Sequence, residues 1–179
     1  MSNSNFKEIV TKTVVGKGRK TFKTNHSLTP ENTPNTVLGC WVINHTFTGT
    51  NRKNEVTVNG SFDVNVWYSY DNDTKTTVST KNFNYNELLR LRVQDYDSLT
   101  DNNEIIVRSL KQPTVTNVKI NNGIVELTIE KELGVEVVGN TKVKVSVEDF
   151  DDDYEELIDD ELESSIDEID EEYLDTKEI

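Results

Sequence analysis

The ten residues Val118-Lys119-Ile120-Asn121-Asn122-Gly123-Ile124-Val125-Glu126-Leu127 read as two strands folded back on each other. Asn-Gly is the dipeptide favoured where both central residues of a two-residue turn need positive φ. A turn at Asn122-Gly123 opposes Ile120 to Val125 and Val118 to Leu127 on one face, and Lys119 to Glu126 on the other. Turn chemistry, apolar pairing and charge pairing therefore select one antiparallel register.

The same reading extends outward. Phe62, Val64, Val66, Tyr68 and Tyr70 alternate with Ser61, Asp63, Asn65, Trp67 and Ser69, the period of a strand with one apolar face. Asn59-Gly60 repeats the turn dipeptide, but a tight turn there would set Val58 against Ser61 and Val56 against Asp63. A bulge or bend inside one long strand from Glu55 to Tyr70 is the better reading. Val37 to Phe47 is apolar on both faces around Cys40-Trp41-Val42-Ile43 and predicts a strand deep in the core. Gly139-Asn140 is read as a turn into a last strand carrying Val143, Val145 and Val147. A short helix is entertained from Asn84 to Leu91. Eight or so short strands without alternating helices predict an all-β fold, an antiparallel β-sandwich or open barrel.

Charge divides the chain. Of 33 acids, 18 lie between Glu148 and Ile179, where the only base is Lys177, a net of −17. The body, residues 1–147, keeps 15 acids and 18 bases, a net of +3. The reading is thus a β-body, 1–147, and an acidic C-terminal tail, 148–179, that is disordered or conditionally helical. Tyr154, Ile158, Leu162, Ile166, Ile169 and Tyr173 recur at spacings of 4, 4, 4, 3 and 4, one apolar stripe on a helix. Acidic pairs at i, i+4 oppose that helix in the free chain. A basic, grooved partner would neutralise the charge and bury the stripe, which describes coupled folding and binding. The alternative is a tail that only solubilises.

Catalytic patterns are missing. Cys40 and His45 stand five positions apart on a predicted strand, which sends them to opposite faces and makes them poor metal co-ligands. The chain has no Cys-x-x-Cys, His-x-x-x-His or Gly-x-Ser-x-Gly. Gly16-Lys17-Gly18-Arg19-Lys20 lacks the spacing of a phosphate loop. Asp71-Asn72-Asp73 starts like a calcium loop, yet Asn82 stands where the bidentate Glu belongs, so a polar turn is expected. No catalytic residue, cofactor or metal is assigned. Cys40 alone excludes an internal disulfide. No apolar stretch reaches signal-peptide length at the N-terminus or the roughly 18 residues of a membrane helix, which predicts use without Sec export or membrane insertion.

The cations Lys17, Arg19, Lys20 and Lys23, with Lys7 and Lys12 before them, form a basic segment. It reads either as a lysine-protected strand edge or as a dock for the acidic tail or a partner. Nucleic acid is disfavoured as its ligand, because the tail would repel phosphate and compete for the same patch. Trp67 and Tyr70 would serve as a stacking platform were the chain a non-catalytic carbohydrate-binding module.

Several of these segments carry a family resemblance. Leu38-Gly39-Cys40-Trp41-Val42-Ile43-Asn44-His45, Asp63-Val64-Asn65-Val66-Trp67-Tyr68-Ser69-Tyr70, Lys111-Gln112-Pro113 and Val137-Val138-Gly139-Asn140-Thr141-Lys142-Val143 strongly resemble the spore coat morphogenetic protein E (CotE) family of endospore-forming bacteria. Glu8-Ile9-Val10-Thr11-Lys12 and Gly18-Arg19-Lys20 fit it too. The resemblance runs in order through residues 6–147. The tail is similar only in being acidic and C-terminal. It implies a protein made in the mother-cell cytoplasm during sporulation that enters the spore coat. It implies self-association into a layer (a homo-oligomer), docking on other spore coat morphogenetic proteins, recruitment of outer-coat or exosporium proteins, and no enzymatic activity.

Overall fold

The hairpin at Asn122-Gly123 forms in the predicted register. The two turn residues have φ of 49° and 78°, and Ile120 faces Val125, Val118 faces Leu127 and Lys119 faces Glu126. Lys119 Nζ lies 2.8 Å from Glu126 Oε2. The structure, a computed structural model, describes residues 5–52, 54–93, 97, 99–100 and 102–147. The tail stripe of Tyr154, Ile158, Leu162, Ile166, Ile169 and Tyr173 lies outside the described residues.

The described chain is all-β: β1 (Asn5–Leu28), β2 (Thr36–Arg52), β3 (Glu55–Tyr70), β4 (Lys75–Arg90), β5 (Arg92–Val93), β6 (Glu104–Asn121) and β7 (Ile124–Val147). Two sheets form, in the orders β5-β1-β7-β6 and β2-β3-β4. β1 runs antiparallel to β7, since Thr13 meets Thr141, Lys17 meets Glu136 and Arg19 meets Glu132 in descending order. The chain divides into two compact units. One is Val10–Thr141; the other gathers Met1–Ile9 with Lys142–Ile179, of which 5–9 and 142–147 are described strand residues.

Within Val10–Thr141 the sheets pack face to face as an antiparallel β-sandwich. β3 and β7 are the central strands. Their inward side chains, Val56, Val58, Phe62, Val64, Val66 and Tyr68 from one and Val125, Leu127, Ile129, Leu133, Val135 and Val137 from the other, are buried. Each such burial contributes about 1.5–3 kcal/mol. The backbones also approach at both lateral seams. A Cβ on Gly18 would lie 2.6 Å from the Arg90 carbonyl oxygen, and one on Gly49 would lie 2.5 Å from Val107 Cγ2. Past the first seam the chain leaves β4 and crosses to pair as β5 with β1.

Several expectations are corrected. Among the described residues there are seven strands, most of them long, not eight short ones. The helix at Asn84–Leu91 does not form. Phe83, Tyr85 and Leu89 pack inward at every second position of β4, and that period is a strand's. Gly139-Asn140 makes no turn, because β7 runs unbroken through it. Its side chains alternate there as before, and that alternation overrides the dipeptide's turn preference. β3 runs as one strand from Glu55 to Tyr70, as expected, but its register with both neighbours is unbroken at Asn59-Gly60, so the expected bulge does not form there. Within the apolar run Cys40-Trp41-Val42-Ile43 only Cys40 and Val42 pack inward, as Val37 and Phe47 of the same strand do, while Trp41 and Ile43 are exposed on the outer face. Cys40 and His45 do not face opposite ways: the register slips between Ile43 and Thr46, with Asn44 at φ 54°, and the slip turns His45 inward against Phe62 and Tyr85. The acidic stretch Asp71-Asn72-Asp73 is the β3–β4 turn, with all three residues at positive φ.

The core is not uniformly apolar. Lys131 occupies an inward position of β7 and is 1% exposed. Its Nζ lies 2.9 Å from Glu87 Oε1 of β4 and 4.1 Å from the centroid of the Tyr85 ring. Gly60 faces Tyr85 directly, and a Cβ there would sit 2.4 Å from the ring. The missing side chain at Gly60 is therefore the space that the Tyr85 ring occupies. This layer separates an apolar cluster around Val56, Val58, Leu133 and Val135 from a second around Phe62, Val64, Leu127 and Ile129.

A buried ion pair is sensitive to losing one partner and tolerant of losing both. Lys131 is more deeply buried than Glu87, which keeps 16% of its side chain exposed. We therefore expect Glu87→Ala to cost about 3–5 kcal/mol in urea unfolding by stranding the ammonium, and Lys131→Met to cost less. The double variant Lys131→Met/Glu87→Leu should recover most of the loss. Additive losses would show that the pair is not coupled.

Candidate functional site

The inter-sheet layer gathers His26, His45, Tyr85 and Glu87 around Lys131. His45 Nε2 lies 2.7 Å from Tyr85 Oη, and His45 Nδ1 lies 3.2 Å from Gln112 Oε1 on β6. His26 Nε2 lies 2.8 Å from Thr24 Oγ1, and its ring packs on Phe62 and Phe83. Burial lowers the pKa of both histidines, and the nearby Lys131 charge lowers them further; at His45 the bond to Gln112 acts in the other direction. Burial pushes the Tyr85 hydroxyl up to about 12. His45 and Tyr85 are bonded to each other and, with Gln112, tie β2, β4 and β6 together, whereas His26 bonds Thr24 of its own strand. Among the described residues no group of three or more His, Cys, Asp or Glu is placed to hold a metal ion. The Cys40 thiol, half-buried and inward, is pushed up to about 11 by desolvation, which keeps it protonated and poorly nucleophilic near neutral pH.

The outer face of β2-β3-β4 has a different chemistry. The registers set Gly39, Trp67 and Val78 in one row, Trp41, Asn65 and Thr80 in the next, and Ile43, Asp63 and Asn82 in the third. Trp41 is 42% exposed and Trp67 43%, with Ile43, Leu38 and Val78 also open. A Cβ on Gly39 would lie 3.5 Å from Trp41 Cζ3 and 3.7 Å from Trp67 Cε3, so both indoles flank the glycine. Asp63 accepts hydrogen bonds from Asn44 Nδ2 at 2.8 Å and Asn82 Nδ2 at 2.7 Å. Those donors hold its carboxyl below the usual carboxylate range.

Tyr70 does not join Trp67. Three positions along a strand is an odd step, and Tyr70 packs against the core beside Tyr68. The expected Trp67–Tyr70 platform is therefore not formed. Its place is taken by Trp41 and Trp67, a pairing that only the cross-strand register discloses.

The basic segment is divided by the pleat. Lys17 and Arg19 point to the outer face of the four-stranded sheet, 3.4 Å from Glu136 and 3.0 Å from Glu132. There they line a groove with Arg90, Arg92, Arg108 and Leu110. Lys20 lies over the Phe22 ring, 5.0 Å from its centroid. Lys23 acts on Glu130, helping to lower its pKa after the larger effect of Lys111. Neither Lys20 nor Lys23 lines the groove. The three arginines come from β4, β5 and β6, far along the chain, and no local signal marks them.

An all-β body with inter-sheet polar ties, an exposed tryptophan face and a cationic groove defines a structural, interaction-bearing β-sandwich. Its sequence narrows that class. The family model for outer spore coat protein E (CotE) matches residues 5–177. The chain belongs to the outer spore coat protein E family, a family of structural proteins of the sporulating cell's outer coat. No curated protein and no solved structure matches it. Among the described residues no helix is long and apolar enough to cross a membrane.

The two histidines set a pH dependence. Their folded pKa values lie below the ordinary 6.5, so between those lowered values and 6.5 the unfolded chain binds more protons than the folded one. Stability is then full above about pH 6.5 and falls as pH drops through that window. We expect a lower urea midpoint at pH 5 than at pH 7.5, and a flatter profile over that range for His26→Gln/His45→Gln. An equal slope in the double variant would assign the dependence to other groups.

Proposed function

We propose that the protein is a non-enzymatic morphogenetic scaffold of the endospore coat. In this reading it associates with itself into a layer and recruits other coat proteins. It is made in the mother-cell cytoplasm and ends in the coat. The observation that carries self-association is the apolar row on the outer face of β2-β3-β4, where Trp41, Trp67, Ile43 and Val78 are open to solvent. Large exposed apolar patches rimmed by polar residues are typical of protein interfaces, and tryptophans are the usual anchors of such contacts. The occupant proposed for this face is a second copy of the chain. Recruitment is assigned to the acidic segment 148–179 and its stripe of Tyr154, Ile158, Leu162, Ile166, Ile169 and Tyr173, by coupled folding on a basic partner.

A second reading uses the same face. Indoles beside a row of Asn65, Asp63 and Asn82 also suit a neutral glycan, which stacks its C–H face and hydrogen-bonds its hydroxyls. The two readings separate in solution. A scaffold shifts to large oligomers with concentration, whereas a glycan module stays monomeric and binds sugar saturably.

Electron microscopy and sedimentation of purified protein test the first reading. The full chain and residues 1–147 should both assemble. Trp41→Ser/Trp67→Ser should raise the concentration for half-assembly roughly 30-fold, about 2 kcal/mol. Unchanged assembly in that variant would remove the tryptophan face from the contact. Loss of all oligomers without the tail would overturn the division of roles.

Circular dichroism addresses recruitment. A peptide of residues 148–179 should gain helix when mixed with a lysine-rich amphipathic peptide, and replacing its six stripe residues by serine should abolish the gain. No gain for the native peptide would sink the recruitment helix.

A further inference from the structure

The outer face of β5-β1-β7-β6 holds more cations than the fold neutralises: Lys17 and Arg19 meet Glu136 and Glu132, but Arg92 and Arg108 meet no acid among the described residues. Lys17 on β1 stands directly opposite Arg92 on β5. Like charges in directly opposed strand positions destabilise a sheet. Two strands further on, Arg108 of β6 is opposed by Gly134, which offers no side chain. Leu110, 50% exposed, lies over that glycine, its Cδ1 2.9 Å from where a Cβ would be. Arg19 and Arg90 complete the rim. The space between them is about 740 Å³ and is lined by five cationic side chains against one acid, Glu136. Among the described residues, Arg92 and Arg108 have no ion pair, and Arg90 reaches Glu55 only at 3.6 Å with 88% of its side chain exposed. A like-charged pair on a short strand, with an apolar floor beside it, is an arrangement that an anionic chain would stabilise.

We propose that this groove binds the acidic C-terminal segment of the chain, residues 148–179, and so holds that segment in reserve. The inference rests on the reading of that segment as the recruiting arm. Charge complementarity supports it: the segment carries a net of −17. Its interspersed Ile, Leu and Tyr provide apolar groups for Leu110. Reach does not restrict it, because the 32 residues span up to about 110 Å extended. Each exposed ion pair is weak. Covalent attachment, however, raises the effective concentration of a tethered segment to the millimolar range, so a modest affinity suffices to occupy the groove. A basic client competes for the same carboxylates and frees the groove as it binds.

The test uses protein cut after residue 147, in which no tethered tail occupies the groove, and a fluorescent peptide of residues 148–179, read by anisotropy at low and at physiological salt. Full-length protein should bind the peptide at least tenfold more weakly and is kept for the client probe. The cut wild type should bind the peptide, with affinity falling steeply as salt rises. Arg90→Gln/Arg92→Gln/Arg108→Gln should weaken binding at least tenfold with an unchanged melting temperature, since all three are surface positions. Lys20→Gln/Lys23→Gln should leave it within twofold. Equal binding by the triple variant overturns the proposal, as does an equal loss in the lysine variant. Tighter binding of a single-stranded oligonucleotide than of the peptide also overturns it, making the groove a phosphate site. The recruiting role is scored separately with a labelled lysine-rich amphipathic peptide. The triple variant, its tail released, should bind that probe at least threefold more tightly than wild type. If neither protein binds the probe while the groove still binds the tail peptide, the recruitment reading fails and the groove assignment stands.

Discussion

The contact between Lys131 and Glu87 constrains the whole sandwich. An ammonium 1% exposed has to be met by a carboxylate and by aromatic faces, because taking it out of water unpaired costs several kcal/mol. Glu87 comes from the opposite sheet, so the two sheets can be apposed in only a few ways. Tyr85 adds its ring face to the ammonium and its hydroxyl to His45. It can lie there only because its cross-strand partner is Gly60. A one-residue slip of β4 on β3 would bring a Cβ under the ring and turn Glu87 to solvent. An apolar layer at the same height would tolerate such a slip more easily. The polar layer thus specifies register, the best-attested benefit of buried charge, and divides the core into two apolar clusters that pack on either side of it.

Much of this was legible and some was not, for reasons that differ residue by residue. The Asn122-Gly123 hairpin was legible because three local signals agreed within ten residues. β3 was legible because its central position gives it one strictly buried face, which prints a clean period of two. β2 was misread as deeply buried because its outward Trp41 and Ile43 are as apolar as its inward Val42. Hydropathy does not separate a core face from an exposed contact face. The parity argument for Cys40 and His45 failed at a register slip, which sequence spacing does not record. Lys131 sits inside the alternation Ile129-Glu130-Lys131-Glu132-Leu133 and looks like a surface charge until its partner 44 positions earlier is known. The groove arginines have the same character, since sheet order collects them from three strands.

The fold then explains why the interaction surfaces lie where they do. Both edges of β3 and β7 are taken by neighbours within their sheets and one face of each by the core between them, so new contacts have to sit on the outer faces. On β2-β3-β4 that face is neutral and apolar at one end, with amides and a carboxylate beside it. On β5-β1-β7-β6 it is a ladder of charges, in which Glu126, Glu130, Glu132 and Glu136 each meet a cation. The two outer faces of one sandwich therefore offer different chemistry.

That asymmetry bears on assembly. A unit with the same sticky surface on both sides stacks without limit, while one with a single apolar face and a charged opposite face closes its apolar contact first and leaves charge outward. Salt at physiological strength screens exposed charges beyond a Debye length of about 8 Å and weakens exposed ion pairs, but leaves an apolar contact largely intact. In the proposed scaffold the tryptophan contacts would therefore be persistent, and the contacts made by carboxylates and arginines exchangeable. The inter-sheet ion pair makes that separation durable. It fixes how the two sheets are apposed, while pairing within each sheet sets Trp41 near Trp67 on one outer face and Lys17 beside Arg92 on the other.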